Sequence, residues 1–227
     1  MDEHDHDHDH DHGHHHHHHD HDHAAAAVPH APPAKDEKIH TYHQALGLAL
    51  KELLIEKGVF TPDEIRKAIE WRDSITPATG AEIVARAWSD PAYKKRLLAD
   101  GTAAIKEFGH DMGALHLVVV ENTPQVHNMI VCTLCSCYPR AILGLPPPWY
   151  KSREYRSRAV REPRAVLKEF GTVLPDSVQV KVHDSTADMR YLVLPMRPKG
   201  AEKMSEGELA ALVTRDCMVG VSLPRLN

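Results

Sequence analysis

Three cysteines, Cys132, Cys135 and Cys137, fall within six residues, and no other feature narrows the options of this 227-residue chain so far. Sulfurs this close in sequence cannot form separate structural disulfides, and four cysteines in all are too few for a disulfide framework. The segment must serve a metal or a redox function. A redox Cys-x-x-Cys would use Cys132 and Cys135 and leave Cys137 without a role. It also lacks the strand-to-helix aromatic-Gly setting of such motifs. A structural zinc site usually draws on a second ligand pair, and the body of the chain has no second Cys-x-x-Cys or His-x-x-x-His.

The spacing fits a less common arrangement. With thiolates at i and i+2, the backbone nitrogens of Ser136 and Cys137 can reach the same metal as the sulfurs of Cys135 and Cys137. Chelation then closes rings of six, five and five atoms and puts four donors in one plane. Cys132, a turn earlier, can add an axial thiolate and leave a sixth position open. Amide nitrogens lose their protons only to a strongly polarising trivalent ion, such as low-spin Co(III) or Fe(III), and not to zinc. Small Ser136 leaves the backbone free to approach.

The flanking sequence predicts an α+β protein, with an N-terminal helical arm followed by a mixed α/β layered domain carrying this claw loop. In the arm, residues 39–109, Ala45, Leu48, Leu50, Leu53 and Leu54 trace an apolar stripe that ends at Gly58. Thr61-Pro62-Asp63-Glu64 reads as a capping box opening a helix through Trp71. Further helices are expected over Ala81–Trp88 and from Asp90-Pro91 to Gly101. In the second domain, residues 110–227, Leu115–Val120, Val126–Val131, Val178–Val182 and Tyr191–Leu194 read as strands. A helix from Pro163 to Phe170 is closed by Gly171, and Ser205-x-x-Glu208 caps a last one.

The surroundings of the claw extend the reading. Cys132-Thr133-Leu134-Cys135-Ser136-Cys137-Tyr138-Pro139 resembles the metal-claw motif of the nitrile hydratase α-subunit family, which includes the γ-subunit of thiocyanate hydrolase. The likeness continues in Val120-Glu121-Asn122-Thr123-Pro124, Val126-His127-Asn128, Leu143-Gly144-Leu145-Pro146-Pro147 and Trp149-Tyr150-Lys151-Ser152. Further on it takes in Tyr155-Arg156-Ser157-Arg158, Tyr191-Leu192-Val193-Leu194-Pro195 and Val213-Thr214-Arg215-Asp216. The resemblance implies a metal held by Cys132, Cys135 and Cys137 and by the amide nitrogens of Ser136 and Cys137. Thr133 at the second claw position goes with cobalt, whereas serine there goes with iron, so one Co(III) per chain is expected. The resemblance also implies that Cys135 is oxidised to sulfinic acid and Cys137 to sulfenic acid. Arginines of a partner β-subunit would hold those oxygens, and the helical arm would embrace that subunit. Cys137, Cys135 and Ser136 are then the catalytic residues, and water adds to a nitrile to give the amide.

One departure bears on substrate. The family usually has Tyr-Pro-Trp-Pro after the claw, the indole walling the pocket, whereas this chain has Tyr138-Pro139-Arg140-Ala141. A guanidinium favours an anion over an apolar nitrile. The thiocyanate hydrolase γ-subunit resembles this chain in having arginine there and in its Asp/His-rich N-terminus. Arg140 is therefore a candidate pocket residue, as is Gln125 just before the claw strand. Nitrile hydratase is the leading reading. Thiocyanate hydrolysis to carbonyl sulfide and ammonia is the alternative, and a cobalt-storage or metallochaperone protein a remote one.

Composition matters chiefly at the N-terminus. Residues 1–23 hold 13 of the 20 His, with seven Asp and one Glu, and are expected to be a disordered metal-binding tail. Asp-His repeats on both sides of the six-His run favour a native segment over a tag. Residues 24–38 read as a Pro/Ala linker. Without the tail the body carries 27 Lys/Arg against 24 Asp/Glu (32 minus 8) and has no basic stripe, which argues against a nucleic-acid partner. The chain has no spanning apolar run and no secretory h-region, so the expectation is a cytoplasmic protein with no membrane contact. Its partners would be the β-subunit, a small nitrile or thiocyanate, and an activator or metallochaperone.

Overall fold

The computed structural model describes residues 41–226. The expected tail, the linker and the first residues of the arm lie outside the described residues. The boundary between two compact units falls within the first helix, α1 (Tyr42–Glu56), after Leu53. No residue of α1 is buried, and Leu46, Leu48, Leu50 and Leu53 are exposed. No helix among the described residues is long and apolar enough to cross a membrane.

The second unit starts with the expected capping box. Thr61 N–H donates to Glu64 Oε2 at 2.7 Å, and Glu64 N–H returns to Thr61 Oγ1 at 3.2 Å, opening α2 (Pro62–Ser74). Helix α3 (Pro77–Ser89) begins four residues before the expected Ala81, because Thr76 and Pro77 form its start. Gly80 conceals that turn in the sequence, where it reads as a break. In the fold it permits close approach, since a Cβ there would lie 2.5 Å from Leu143 Cδ2. Asp90 Oδ1 accepts from the amides of Ala92 and Tyr93 at 2.8 and 3.0 Å and so caps α4 (Pro91–Ala99). A short α5 (Gly101–Ala104) and a 3-10 turn (Ile105–Phe108) lead to the first strand.

The four strands form two parallel pairs. β1 (His116–Glu121) pairs with β4 (Met189–Leu194), with His116 opposite Met189 and Glu121 opposite Leu194. β2 (Val126–Val131) pairs with β3 (Gln179–Asp184), with Val126 opposite Gln179 and Val131 opposite Asp184. β2 is buried from His127 onward, the continuous burial of a strand covered on both faces. Met129, Ile130 and Val131 have no exposed surface, and burying each such side chain stabilises by about 1.5–3 kcal/mol, which holds the strand in its register. Ile83, Val84, Tyr93 and Leu97 of α3 and α4 share a core with Leu117, Met129 and Leu192 of the strands.

Between β2 and β3 lie α6 (Arg140–Leu143), α7 (Pro148–Lys151), α8 (Arg153–Arg161) and α9 (Pro163–Glu169). The sequence reading found only the last of these. α8 buries just Tyr155 and Ala159 and, apart from exposed Val160, is otherwise charged or polar, too little apolar periodicity to stand out. The Ser205 box opens α10 (Glu206–Ala211) as expected, but a further helix, α11 (Arg215–Val219), follows it.

Gly220 ends α11 at φ 87° and lies against β2. Its carbonyl accepts from His127 Nε2 at 2.7 Å, while His127 Nδ1 meets Asn122 Nδ2 at 3.3 Å, and burial lowers the pKa of this ring. A Cβ on Gly220 would strike Asn128 O and sit 2.9 Å from Met129 Cα, both of them backbone. Gly220→Ala should therefore cost at least about 3 kcal/mol, combining left-handed strain with a backbone clash. Thermal unfolding should show a Tm lower by about 6–12 °C. Gly207→Ala, in open space on α10, is the matched control and should not lower Tm.

Candidate metal centre

The claw begins where β2 ends. Cys132, 1% exposed, follows Val131 directly, and Ser185 N–H donates to Val131 O at 2.8 Å to extend the β2–β3 ladder past the last paired residues. Asp184, at the end of β3, accepts from Thr133 N at 2.9 Å and from Thr133 Oγ1 at 2.5 Å. Arg156 of α8 donates to Thr133 O at 3.3 Å. At the other end of the loop Tyr150 of α7 donates from its hydroxyl to Cys137 O at 2.9 Å. Tyr155 fixes the strand beneath by donating to Ile130 O at 2.7 Å. Side chains from three elements thus hold a six-residue loop by its backbone.

Within the loop the three sulfurs converge. Cys132 Sγ and Cys135 Sγ are 3.5 Å apart, Cys135 Sγ and Cys137 Sγ 3.3 Å, and all three lie within 4.8 Å of one another. Cys135 N–H points at Cys132 Sγ at 3.3 Å. Two sulfurs each about 2.3 Å from one ion would be about 3.3 Å apart at right angles and about 3.8 Å apart at tetrahedral corners. The 3.3 Å separation matches the right-angle case, and the 3.5 Å one falls between the two. Three thiols gathered this closely can hold one metal ion. The thiols are also unequal. Hydrogen bonds from Cys137 and Cys132 hold the Cys135 thiol down at about 7, whereas burial and then the neighbouring Cys135 sulfur push Cys137 up.

Beside the sulfurs lies a cavity of about 540 Å³, lined by Cys135, Ser136, Cys137, Arg140, Arg72 and Arg190 among others. The structure thus brings together Cys132, Cys135, Ser136, Cys137 and Arg140. It does not bring Gln125 to them. Gln125 precedes β2, where its carbonyl accepts from Gln179 N at 2.8 Å, and the claw lies beyond the other end of that strand, about 20 Å away in extended chain. Proximity in sequence misled here, because the residues between form a straight strand. Asp184, Arg156, Tyr150 and Arg190 escaped the sequence reading. Tyr150 and Arg156 lie in stretches that resemble the family, but nothing local assigns them a contact, and all four meet the claw only once β2 pairs with β3 and the short helices fold back.

A buried strand that opens into three convergent thiols, beside an arginine-lined cavity, defines a metal-binding enzyme subunit. The chain belongs to the nitrile hydratase α-chain family, whose model, described as "Nitrile hydratase, alpha chain", matches residues 41–222. It is 51% identical over 191 residues to the cobalt-containing nitrile hydratase subunit alpha of Pseudonocardia thermophila, covering 82% of this chain and 93% of that one. It is 43% identical over 194 residues to the thiocyanate hydrolase subunit gamma of Thiobacillus thioparus, covering 80% of each. Among solved structures, an Fe-type nitrile hydratase from Comamonas testosteroni Ni1 superposes with a TM-score of 0.73 at 45% identity, over 80% of this chain and 90% of that one.

Proposed function

We propose that this chain is the metal-binding α-subunit of a cobalt-type nitrile hydratase, adding water to a nitrile to give the amide. The sulfur cluster carries the reading, because its spacing suits a six-coordinate ion and its loop is tied down on both sides. Cys132, Cys135 and Cys137 would hold the ion together with the nitrogens of Ser136 and Cys137. When bound, the trivalent ion supplies Lewis acidity toward the C≡N group. Tyr150 and Asp184 keep the loop from swinging open, and Thr133, clasped by Asp184, is the residue that favours cobalt over iron. Oxidation of Cys135 to the sulfinic and Cys137 to the sulfenic acid would place anionic oxygens at the cavity floor. Arginines of a β-subunit would complete their hydrogen bonding, so activity requires that partner.

A specific observation favours a second reading. Arg140 lines the claw cavity where the family usually has tryptophan, which suits the thiocyanate anion and the γ-subunit of a thiocyanate hydrolase. Metal content and substrate are tested together. Purified complex, co-expressed with its partner and with residues 1–23 deleted to remove their imidazoles, should contain equimolar cobalt and hydrate a small nitrile. Zinc alone in the folded complex would sink the claw assignment, and iron alone the role given to Thr133.

A further inference from the structure

Three guanidinium groups open onto the claw cavity, Arg72 from α2, Arg140 from the start of α6 and Arg190 from β4. Among the described residues the one carboxylate on its lining is Asp111, whose Oδ2 lies 3.6 Å from Lys106 Nζ and is already paired. The Arg72 and Arg140 side chains meet no acceptor among the described residues. Arg190 Nη1 donates to the carbonyls of Thr186 and Met189 at 2.6 and 2.9 Å, which fixes its guanidinium and leaves Nε and Nη2 uncommitted. Like charges gathered in one concavity repel one another, and an anion relieves that cost while gaining charge-assisted hydrogen bonds.

The three arginines do not share one place. Arg140 stands three residues after Cys137, and Arg190 lines the same cavity as Cys137 from β4, so both are placed at the reacting end. Arg72 reaches the cavity from a different element, beside Trp71. At about 540 Å³ the space also far exceeds a triatomic anion and is of the size that holds an organic molecule. We propose that the preferred substrates are nitriles carrying a carboxylate on a short spacer, with the C≡N group at the claw and the carboxylate held by Arg72. This rests on the nitrile hydratase reading and makes Arg72 a specificity-determining residue. The reaction is unchanged: water's oxygen bonds to the nitrile carbon, both its protons end on nitrogen, and the carboxylate passes through unaltered.

The test uses the assembled enzyme and two nearly isosteric nitriles, cyanoacetate and cyanoacetamide, which differ in charge. Wild type should prefer cyanoacetate. Arg72→Gln should lower the ratio of the two kcat/KM values about tenfold, through KM for cyanoacetate, and Arg72→Lys should recover part of it. Arg72 is exposed on α2, so both variants should fold, which matching thermal melts would check. A wild-type preference for cyanoacetamide, or a ratio that does not move in Arg72→Gln, overturns the substrate class and leaves nitrile hydration standing. Hydration of neither compound by metal-loaded enzyme overturns both readings at once.

Discussion

Replacing any one of Cys132, Cys135 or Cys137 by alanine should remove metal and activity together, with turnover reduced by at least about 10⁴-fold. The expectation follows from how the donors are linked. Removing one sulfur would open the proposed chelate, whose remaining donors share the same short loop, with the Cys135 and Cys137 sulfurs 3.3 Å apart. Cys217 is the internal comparison. It is buried in α11, where its sulfur lies 3.2 Å from Thr214 Oγ1 and 3.3 Å from Ser222 Oγ, well outside the claw. Cys217→Ser should retain full metal content. Metal analysis and nitrile turnover on the four purified complexes check this, and a Cys137→Ala complex with normal turnover would contradict the site.

Arg140→Trp should shift the balance between the two family activities. Arg140 lines the cavity and its side chain meets no acceptor among the described residues, so an anion there gains a charge-assisted hydrogen bond of roughly 1.5–3 kcal/mol, one to two powers of ten in kcat/KM. The variant should lose that factor on thiocyanate while an apolar aliphatic nitrile is turned over as well or better. A paired assay reads the ratio directly. If both activities change in parallel, Arg140 serves folding or subunit packing, and the case for thiocyanate loses its support.

Much of the site could be read from the sequence because its donors are local. A six-residue segment contains every proposed ligand, and their spacing alone defines the chelate. The strands were also legible, since Leu117–Val120 of β1, Met129–Val131 of β2 and the second half of β4 are apolar, β-branched-rich runs. What could not be read were contacts made at long range. Asp184 has nothing in its neighbourhood to mark it, yet it holds Thr133 with two hydrogen bonds. Gln125 failed for the opposite reason, close in sequence but placed beyond the far end of a strand. The short helices α6, α7 and α8 bury too few side chains to leave a periodic trace, so the aromatic floor under the claw, Tyr138 edge-on to Tyr150 at 5.1 Å, emerged only with the fold.

Parallel pairing has a consequence for the order of events during synthesis. Asp184 lies 51 residues after Thr133, and β3, which positions it, cannot pair with β2 until it has left the ribosome. At about 5–20 residues per second the cysteines are out for some 3–10 seconds before their clasp exists. Throughout that interval Cys132, Cys135 and Cys137 are an unstructured trithiol, open to adventitious zinc and to disulfide formation between neighbours. Closure of the Asp184 clasp is therefore timed by the arrival of β3 and not by the appearance of the cysteines themselves.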